Sequence, residues 1–269
     1  MSQISPPRPR RQVNLRSVAL PAEHGGWGFV LEPIVLGLIV AWSAPGVALA
    51  AAALAFFLLH QPLRLAVRDH LKQRRVDRTI YAERFALAYA AAGSVGLLLA
   101  ALAAPPSILI PLGLALPLVA VQFVHDIRSQ SRSTAAEVSG AGALGAVAAA
   151  VAVAGGWPLV EGLVLWLLMA VRAVTSIIYV RARLRLEYGA PANASLSRLA
   201  HGAGAVVLAG CVAAGFAPWL ALAAYSLLVA RAALGLSARR QPAPAKTIGM
   251  REMVYGLVYA VVIGAAYAL

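Results

Sequence analysis

The sequence predicts an all-α fold, a polytopic transmembrane bundle of about nine helices. The first observation is composition: 61% of the 269 residues are hydrophobic and 12% are charged, which is more apolar side chain than one soluble core buries. The second is that all 23 lysines and arginines can be placed on one side of a membrane, because long apolar stretches separate them into five clusters. Cytoplasmic loops retain lysine and arginine, so these clusters are predicted to face the cytoplasm. The clusters run from Arg8 to Arg16, from Arg64 to Arg84, from Arg128 to Arg132, from Arg172 to Arg198 and from Arg231 to Arg251.

Nine apolar stretches are each predicted to form one spanning helix, since a span needs roughly 20 mostly apolar residues. An odd number of spans places the N-terminus inside and the C-terminus outside the cytoplasmic membrane. Residues 1–20 are predicted to be a basic cytoplasmic tail with no removable signal peptide, and residues 21–269 to be the bundle. In order, the predicted spans are 26–43, 46–63, 85–103, 106–124, 135–154, 158–178, 199–214, 217–234 and 252–269.

Charge and cysteine content exclude several classes of function. The net charge of +13 would suit nucleic acid, but the sequence contains no motif of a known nucleic-acid-binding module. Basic residues of membrane proteins instead set the orientation of the chain and attract anionic lipid head groups. Membrane lipid rather than nucleic acid is therefore the expected partner. Cys211 is alone, which excludes an intrachain disulfide and a cysteine-built metal site. The oligomeric state is left open.

The start of the first span carries an unusual group of polar and small residues. Glu32 lies eight residues after His24, so the two side chains could share one wall of a cavity. The glycines of His24-Gly25-Gly26-Trp27-Gly28 could form a re-entrant start whose backbone donors point into that cavity. The alternative is that His24 is solvated and Glu32 pairs with an arginine.

The second span ends in a glutamine, a proline and a run of arginines. Arg64 and Arg68 are four residues apart, so they are predicted to stack on one helical face, where they could bind a phosphate or pair with Asp69 or Asp77. Gln61 favours a function, because a glutamine within a span needs a polar neighbour. The alternative is that these arginines only orient the chain.

Arg172 is the most informative single candidate for a site residue, because it lies several turns inside the sixth apolar stretch. An arginine at that depth needs a carboxylate, a bound anion or water. Glu32 is the predicted protein partner. The helical spacing places Ser176, Tyr179 and Arg183 on a broad face with Arg172. This face could bind a phosphate or a carboxylate group. The alternative is a structural ion pair that closes the bundle.

Three segments of the chain stand out together: Leu20-Pro-Ala-Glu-His24-Gly-Gly-Trp27, Gln61-Pro62-Leu63 and Tyr179-Val-Arg-Ala-Arg-Leu-Arg185. With these segments the chain resembles the YwiC-like family of bacterial membrane proteins. The resemblance is expected to cover most of the chain. It implies a helical protein of the inner membrane and names no activity.

The layout of nine spans, with the main polar segments after the second and sixth, is similar to that of UbiA-type intramembrane prenyltransferases. That similarity implies two Asp-rich segments holding Mg²⁺ on a polyprenyl diphosphate, and magnesium needs carboxylate oxygens. Here the first segment offers Asp69 and Asp77 as weak candidate ligands, and the second offers only Glu187. The fold is therefore expected to be UbiA-like, and Mg²⁺ is a cofactor that the similarity implies without firm support.

These observations lead to one functional hypothesis and two alternatives. We expect a cytoplasm-facing basic pocket for an anionic lipid or an isoprenoid diphosphate, with UbiA-like prenyl transfer as an activity that it could support. The candidates for a catalytic role are Glu32, Asp69 and Tyr179. The alternatives are a transporter of a small anionic metabolite or lipid, and a non-catalytic membrane scaffold. The predicted binding residues are His24, Gln61, Arg64, Arg68, Arg172, Ser176, Arg181 and Arg183.

Overall fold

The structure is a computed structural model, and it describes residues 13–21 and 24–269. The described residues form ten α-helices and one 3-10 turn, Pro106–Ile108, and contain no β-strand. The helices are α1 (Leu15–Ala19), α2 (His24–Val40), α3 (Ala44–Leu71), α4 (Asp77–Ala103), α5 (Leu109–Ile127), α6 (Thr134–Ala154), α7 (Leu159–Glu187), α8 (Ala194–Ala213), α9 (Leu220–Gly235) and α10 (Ala245–Ala268).

The predicted bundle of spanning helices is confirmed. Seven helices are long and apolar enough to cross a membrane, namely α3, α4, α5 with its 3-10 turn, α6, α7, α8 and α10. The other two predicted spans correspond to α2 and α9, which are apolar but shorter. A short span fits a membrane by local thinning of the bilayer, so their length is compatible with crossing.

Several helices continue past the apolar stretches that predicted them. The second predicted span stops at residue 63, but α3 continues through Pro62 to Leu71, and α7 continues to Glu187. α10 begins seven residues before its predicted start, at Ala245. Backbone hydrogen bonding within a helix continues beyond the hydrocarbon core of the bilayer, so these helices are expected to extend into the head-group region. We call the end of the bundle where α3, α5, α7 and α9 finish the basic end.

The start of α2 is helical, so the prediction of a re-entrant start there was wrong. The helix begins at His24, whose side chain lies outside the described residues, and it runs without interruption through the glycines. A Cβ added to Gly26 would lie 3.4 Å from the ring of Phe57, and that ring packs edge-on against Trp27 at 5.3 Å between centroids. The start of α2 therefore packs against α3 at ordinary contact distance.

α6 is the central helix of the bundle, and it packs against α2, α3, α5 and α7. Every residue of the stretch 145–154 on α6 is buried, and six of these residues are alanine. Small side chains let helices approach closely where lipid supplies no hydrophobic driving force, so the thin α6 predicted from its composition takes the most enclosed position.

Large side chains fill the space between α6 and the five helices α2, α7, α8, α9 and α10. Their buried members form one continuous apolar core. The largest of them are Leu36, Leu165, Leu168, Leu208, Tyr225, Leu228, Tyr259 and Ile263. This half of the bundle has a packed interior rather than an open channel.

α1 and α2 attach to the bundle at different places. α1, which falls within the predicted tail, packs against α3 and α4 and buries Val18 to 1% exposure. α2 lies along α10, where a Cβ added to Gly264 would collide with the side chain of Ile39. The first and last apolar helices are therefore direct neighbours.

Candidate functional site

Four charged side chains meet inside the bundle, and we call them the charge quartet: Glu32 on α2, Arg172 on α7, Arg231 on α9 and Glu252 on α10. Nη2 of Arg172 lies 2.8 Å from Oε1 of Glu32 and donates to the backbone oxygen of Glu252 at 2.7 Å. Nη1 of Arg231 lies 2.9 Å from Oε2 of Glu252. The predicted pairing of Glu32 with Arg172 is confirmed.

Polar and aromatic neighbours complete the surroundings of the quartet. Ser176 accepts a hydrogen bond of 3.2 Å from Nη2 of Arg231, and the guanidinium carbon of Arg231 lies 4.2 Å from the centre of the Tyr179 ring. The guanidinium of Arg172 lies 5.4 Å from the ring of Phe29. Aromatic faces attract guanidinium groups, most strongly when water is excluded. Ser176, a predicted binding residue, and Tyr179, a candidate for a catalytic role, thus contact another protein side chain.

Two glycines make room for the Glu32 carboxylate. A Cβ added to Gly256 on α10 would overlap the carboxylate of Glu32 and the guanidinium of Arg172. A Cβ added to Gly28 would lie 3.0 Å from Oε1 of Glu32. The backbone of α10 therefore passes directly over the ion pair, and this path excludes any larger residue at position 256.

The charge quartet is electrically balanced and almost completely buried. Two carboxylates face two guanidinium groups, and the side chains of Glu32 and Arg172 are each 2% exposed. Such an arrangement stabilises its members only while all of them are present, since removing one leaves a buried charge without compensation. The quartet joins α2, α7, α9 and α10 as an ion-pair clamp.

Arg183 ties the end of α7 to the segment between α9 and α10. It donates hydrogen bonds to the backbone oxygens of Gly235 and Gln241, and its Nη2 lies 2.8 Å from Oε1 of Glu187. Glu187 also accepts a hydrogen bond of 3.3 Å from the backbone nitrogen of Ala243. The guanidinium of this predicted binding residue is thus directed at protein groups.

A second polar contact joins α3 to α5 near the basic end. Nε2 of His60 lies 2.5 Å from Oδ2 of Asp126, whose side chain is buried. Arg68 donates from Nε and Nη2 to the backbone oxygen of Asp126, at 3.2 and 2.7 Å. The Arg68 side chain thus lies beside the end of α5.

Gln61 and Arg64 hold α1 against α3. Nε2 of Gln61 donates to the backbone oxygen of Ser17 at 3.2 Å, and its Oε1 accepts a hydrogen bond of 2.6 Å from Nη2 of Arg64. The amide within the span therefore has the polar neighbours that its position required.

The two candidate metal ligands lie in different surroundings. Both oxygens of Asp69 accept hydrogen bonds from Arg78, and Oδ2 also accepts one of 2.8 Å from Thr79. Asp77 is in the first turn of α4. Among the described residues, no group of three histidine, cysteine, aspartate or glutamate side chains could hold a metal ion. Asp69 instead fixes the turn between α3 and α4.

An open cleft of about 650 Å³ lies at the basic end, beside the loop between α5 and α6. We call it the serine cleft, and its lining consists of Arg68, Ser129, Gln130, Ser131, Arg132 and Ser133. Arg181 of α7 contacts the same loop and the start of α6. Its Nη1 donates hydrogen bonds of 2.9 Å to the backbone oxygen of Arg132 and to Oε2 of Glu137. The polar segments that follow the second and sixth predicted spans therefore meet at this loop.

The predicted site residues fall into separate groups rather than one pocket. Glu32, Arg172, Ser176 and Tyr179 surround the quartet, whereas Arg68 lines the serine cleft and Arg181 adjoins it. The lining of the serine cleft includes neither Glu32 nor Gln61 nor Arg172.

Sequence reasoning missed Arg231 and Glu252 as members of the buried group. Both had been assigned to the last basic cluster and the helix start that follows it. A signal for Arg231 was present, because it lies within the predicted span 217–234. Glu252 gave no such signal, because its depth depends on the true start of α10.

Fold and quartet together define a polytopic helical membrane protein in which buried ion pairs join α2 to α7 and α9 to α10. Residues 20–153 match the model of the YwiC-like protein family, to which this part of the chain is therefore similar. The match contains Glu32 and Gln61 but is shorter than the resemblance implied, since Arg172 and Tyr179 lie beyond it. No curated protein and no solved structure matches the chain.

Proposed function

We propose that this membrane protein binds the anionic head group of a lipid or an isoprenoid diphosphate in the serine cleft at its cytoplasmic side. The observation that carries the proposal is the lining of the cleft, where two arginines and three serines surround a volume of about 650 Å³. Guanidinium forks and hydroxyl groups are the donors that phosphate oxygens require.

The surroundings of the serine cleft suit a ligand with an apolar tail. The last two turns of α5 lead up to the cleft and expose Val121 and Val124, which are 40% and 42% exposed. A lipid whose phosphate lies over Arg68 would place its first carbons beside this apolar surface. Basic groups near the surface of an anionic leaflet add about 1 kcal/mol of attraction each, which favours lipid over a neutral metabolite.

Binding at the serine cleft does not require a divalent metal in this proposal. Asp69, the better of the two candidate ligands, has its carboxylate engaged by Arg78 and Thr79. Positive charge on the arginines would neutralise the phosphate directly. Prenyl transfer of the UbiA type would need a further site for Mg²⁺, so the metal dependence of binding separates the two hypotheses.

A thermal-shift series on the purified full chain tests the proposal. Isoprenyl diphosphates of several lengths and short-chain anionic lipids are each added with Mg²⁺ and with EDTA. A ligand present at 100 times its Kd adds about 2.7 kcal/mol of stability. We expect stabilisation that survives EDTA and is lost in the Arg132→Gln variant.

The matched control is Arg128→Gln, which removes the same charge from the same loop but does not alter the lining of the cleft. Equal loss of stabilisation in both variants would indicate general attraction to the basic end and would reject the cleft. Stabilisation that requires Mg²⁺ would restore the prenyltransferase hypothesis.

The second candidate function is a non-catalytic membrane scaffold. The observation that favours it is the packed interior, in which Arg172 is paired with Glu32 and is 2% exposed. Its test is the same series, because a scaffold would show no shift with any phosphate ligand.

A further inference from the structure

We propose that the serine cleft selects a terminal phosphate group, which carries two negative charges, over a phosphate within a diester. This inference rests on the proposed function and specifies the class of head group. The shared chemistry is that of a phosphomonoester lipid, the end of a diphosphate, or free inorganic phosphate.

The first argument is the balance of charge within the serine cleft. Its six lining residues include two arginines and no carboxylate. The hydrogen bonds of Arg68 go to the backbone oxygen of Asp126, which does not neutralise its charge. The carboxylate of Asp126 points instead at His60. Two positive charges therefore remain for one ligand.

The nearest glutamate does not change this balance. Glu137 pairs with Arg181, with 2.9 Å between Oε2 and Nη1. Arg181 in turn reaches the backbone oxygen of Arg132, not its side chain. Arg132 itself is exposed and lines the cleft. The glutamate of α6 is thus paired with a cation of α7 that does not line the cleft.

The second argument is the number of donors. A terminal phosphate has three free oxygens and a charge of about −1.5 to −2 at pH 7, because its second pKa is about 6. A phosphate within a diester has two free oxygens and one charge. The hydroxyl of Ser133 accepts a hydrogen bond from the backbone nitrogen of Ala136, so its proton remains free to be donated. With Ser129 and Ser131, the serine cleft offers three hydroxyl donors besides the guanidinium groups.

The experiment measures the affinity of the full chain in detergent for dioctanoyl phosphatidic acid and for dioctanoyl phosphatidylglycerol, which have the same tails. At pH 7.5 we expect the monoester to bind about tenfold more tightly, which corresponds to one additional charge-assisted contact. At pH 5 the monoester carries one charge, so the preference should fall to about twofold. Arg132→Gln should remove most of the preference at pH 7.5, whereas Arg128→Gln should leave it unchanged.

The possible outcomes separate this inference from the proposed function. Binding of both lipids with equal affinity, lost in Arg132→Gln, would overturn the preference and keep the lipid site. Binding of neither lipid would overturn both proposals. A preference that Arg132→Gln does not change would place the selecting group elsewhere and so overturn the inference. Competition by inorganic phosphate at the same concentration as phosphatidic acid would support the terminal-phosphate site and assign it to a soluble ligand.

Discussion

Arg172 of α7 binds Glu32 of α2 with 2.8 Å between Nη2 and Oε1, and both side chains are 2% exposed. Glu32 lies within the part of the chain that matches the YwiC-like family, whereas Arg172 lies beyond it. The part of the chain that matches the family therefore contains a buried carboxylate, and α7, which lies beyond that part, supplies the opposite charge. The two parts of the chain depend on each other electrostatically.

Removing Arg172 should destabilise the bundle more than removing the whole ion pair. Arg172→Gln leaves the carboxylate of Glu32 buried without its partner, which costs about 3–5 kcal/mol. Adding Glu32→Gln to this variant removes that unpaired charge, so the double variant should recover a large part of the loss. The measurement is thermal unfolding of the purified protein in detergent. If the double variant is no more stable than the single variant, the pair does not contribute through its charge.

Gly256 should tolerate no larger side chain. In Gly256→Ala the new methyl group would overlap the Glu32 carboxylate, and overpacking of this kind costs about 1–3 kcal/mol. Gly249→Ala in the same helix is the control, because a Cβ there meets no atom within 4 Å. Alanine favours helix over glycine by up to about 1 kcal/mol, so the control should be neutral or slightly stabilised. Equal unfolding temperatures for the two variants would contradict the close passage of α10 over the ion pair.

Arg183 should protect the segment between α9 and α10 from proteolysis. Arg183→Gln removes the hydrogen bonds to Gly235 and Gln241 and the ion pair with Glu187. Limited proteolysis followed by mass spectrometry should then show cleavage within residues 236–244 at least about tenfold faster, because local opening exposes the backbone. Arg185→Gln is the control, since that side chain is exposed and lies on the same helix. Unchanged cleavage in Arg183→Gln would show that other contacts hold this segment.

The C-terminus is expected to lie outside the cytoplasmic membrane. Nine spans and a cytoplasmic basic end require this, because Leu269 follows α10 at the end opposite the arginines. Alkaline phosphatase fused after Leu269 should therefore be active, whereas a fusion within the α7–α8 loop, at Ala190, should be inactive. The opposite pattern of activities would invert the predicted orientation.

The sequence was sufficient for the nine apolar helices, though not for the short α1, and for one ion pair, for different physical reasons. The spans follow from the length of apolar stretches, which the bilayer thickness sets directly. The Glu32–Arg172 pair follows from the cost of burying a charge, because each residue needed a partner and few were available at that depth.

The other half of the quartet depended on features that composition does not encode. Glu252 is the first residue of the predicted span 252–269, yet α10 begins at Ala245 and places Glu252 two turns inside the helix. The serine cleft is likewise formed by a loop that meets Arg68 only after α3 and α5 have packed. Spacing along one helix predicts which side chains share a face, but not which neighbouring helix they meet.

The position of α2 beside α10 has a consequence for the order of events during synthesis. α2 enters the membrane early, when neither Arg172 nor α10 has yet been made, so the Glu32 carboxylate must first be accommodated by water, head groups or the insertion machinery. The bundle can close only when the last span arrives and covers the ion pair with Gly256. The network of buried ion pairs is therefore completed only when the last helix has been made and supplies Glu252.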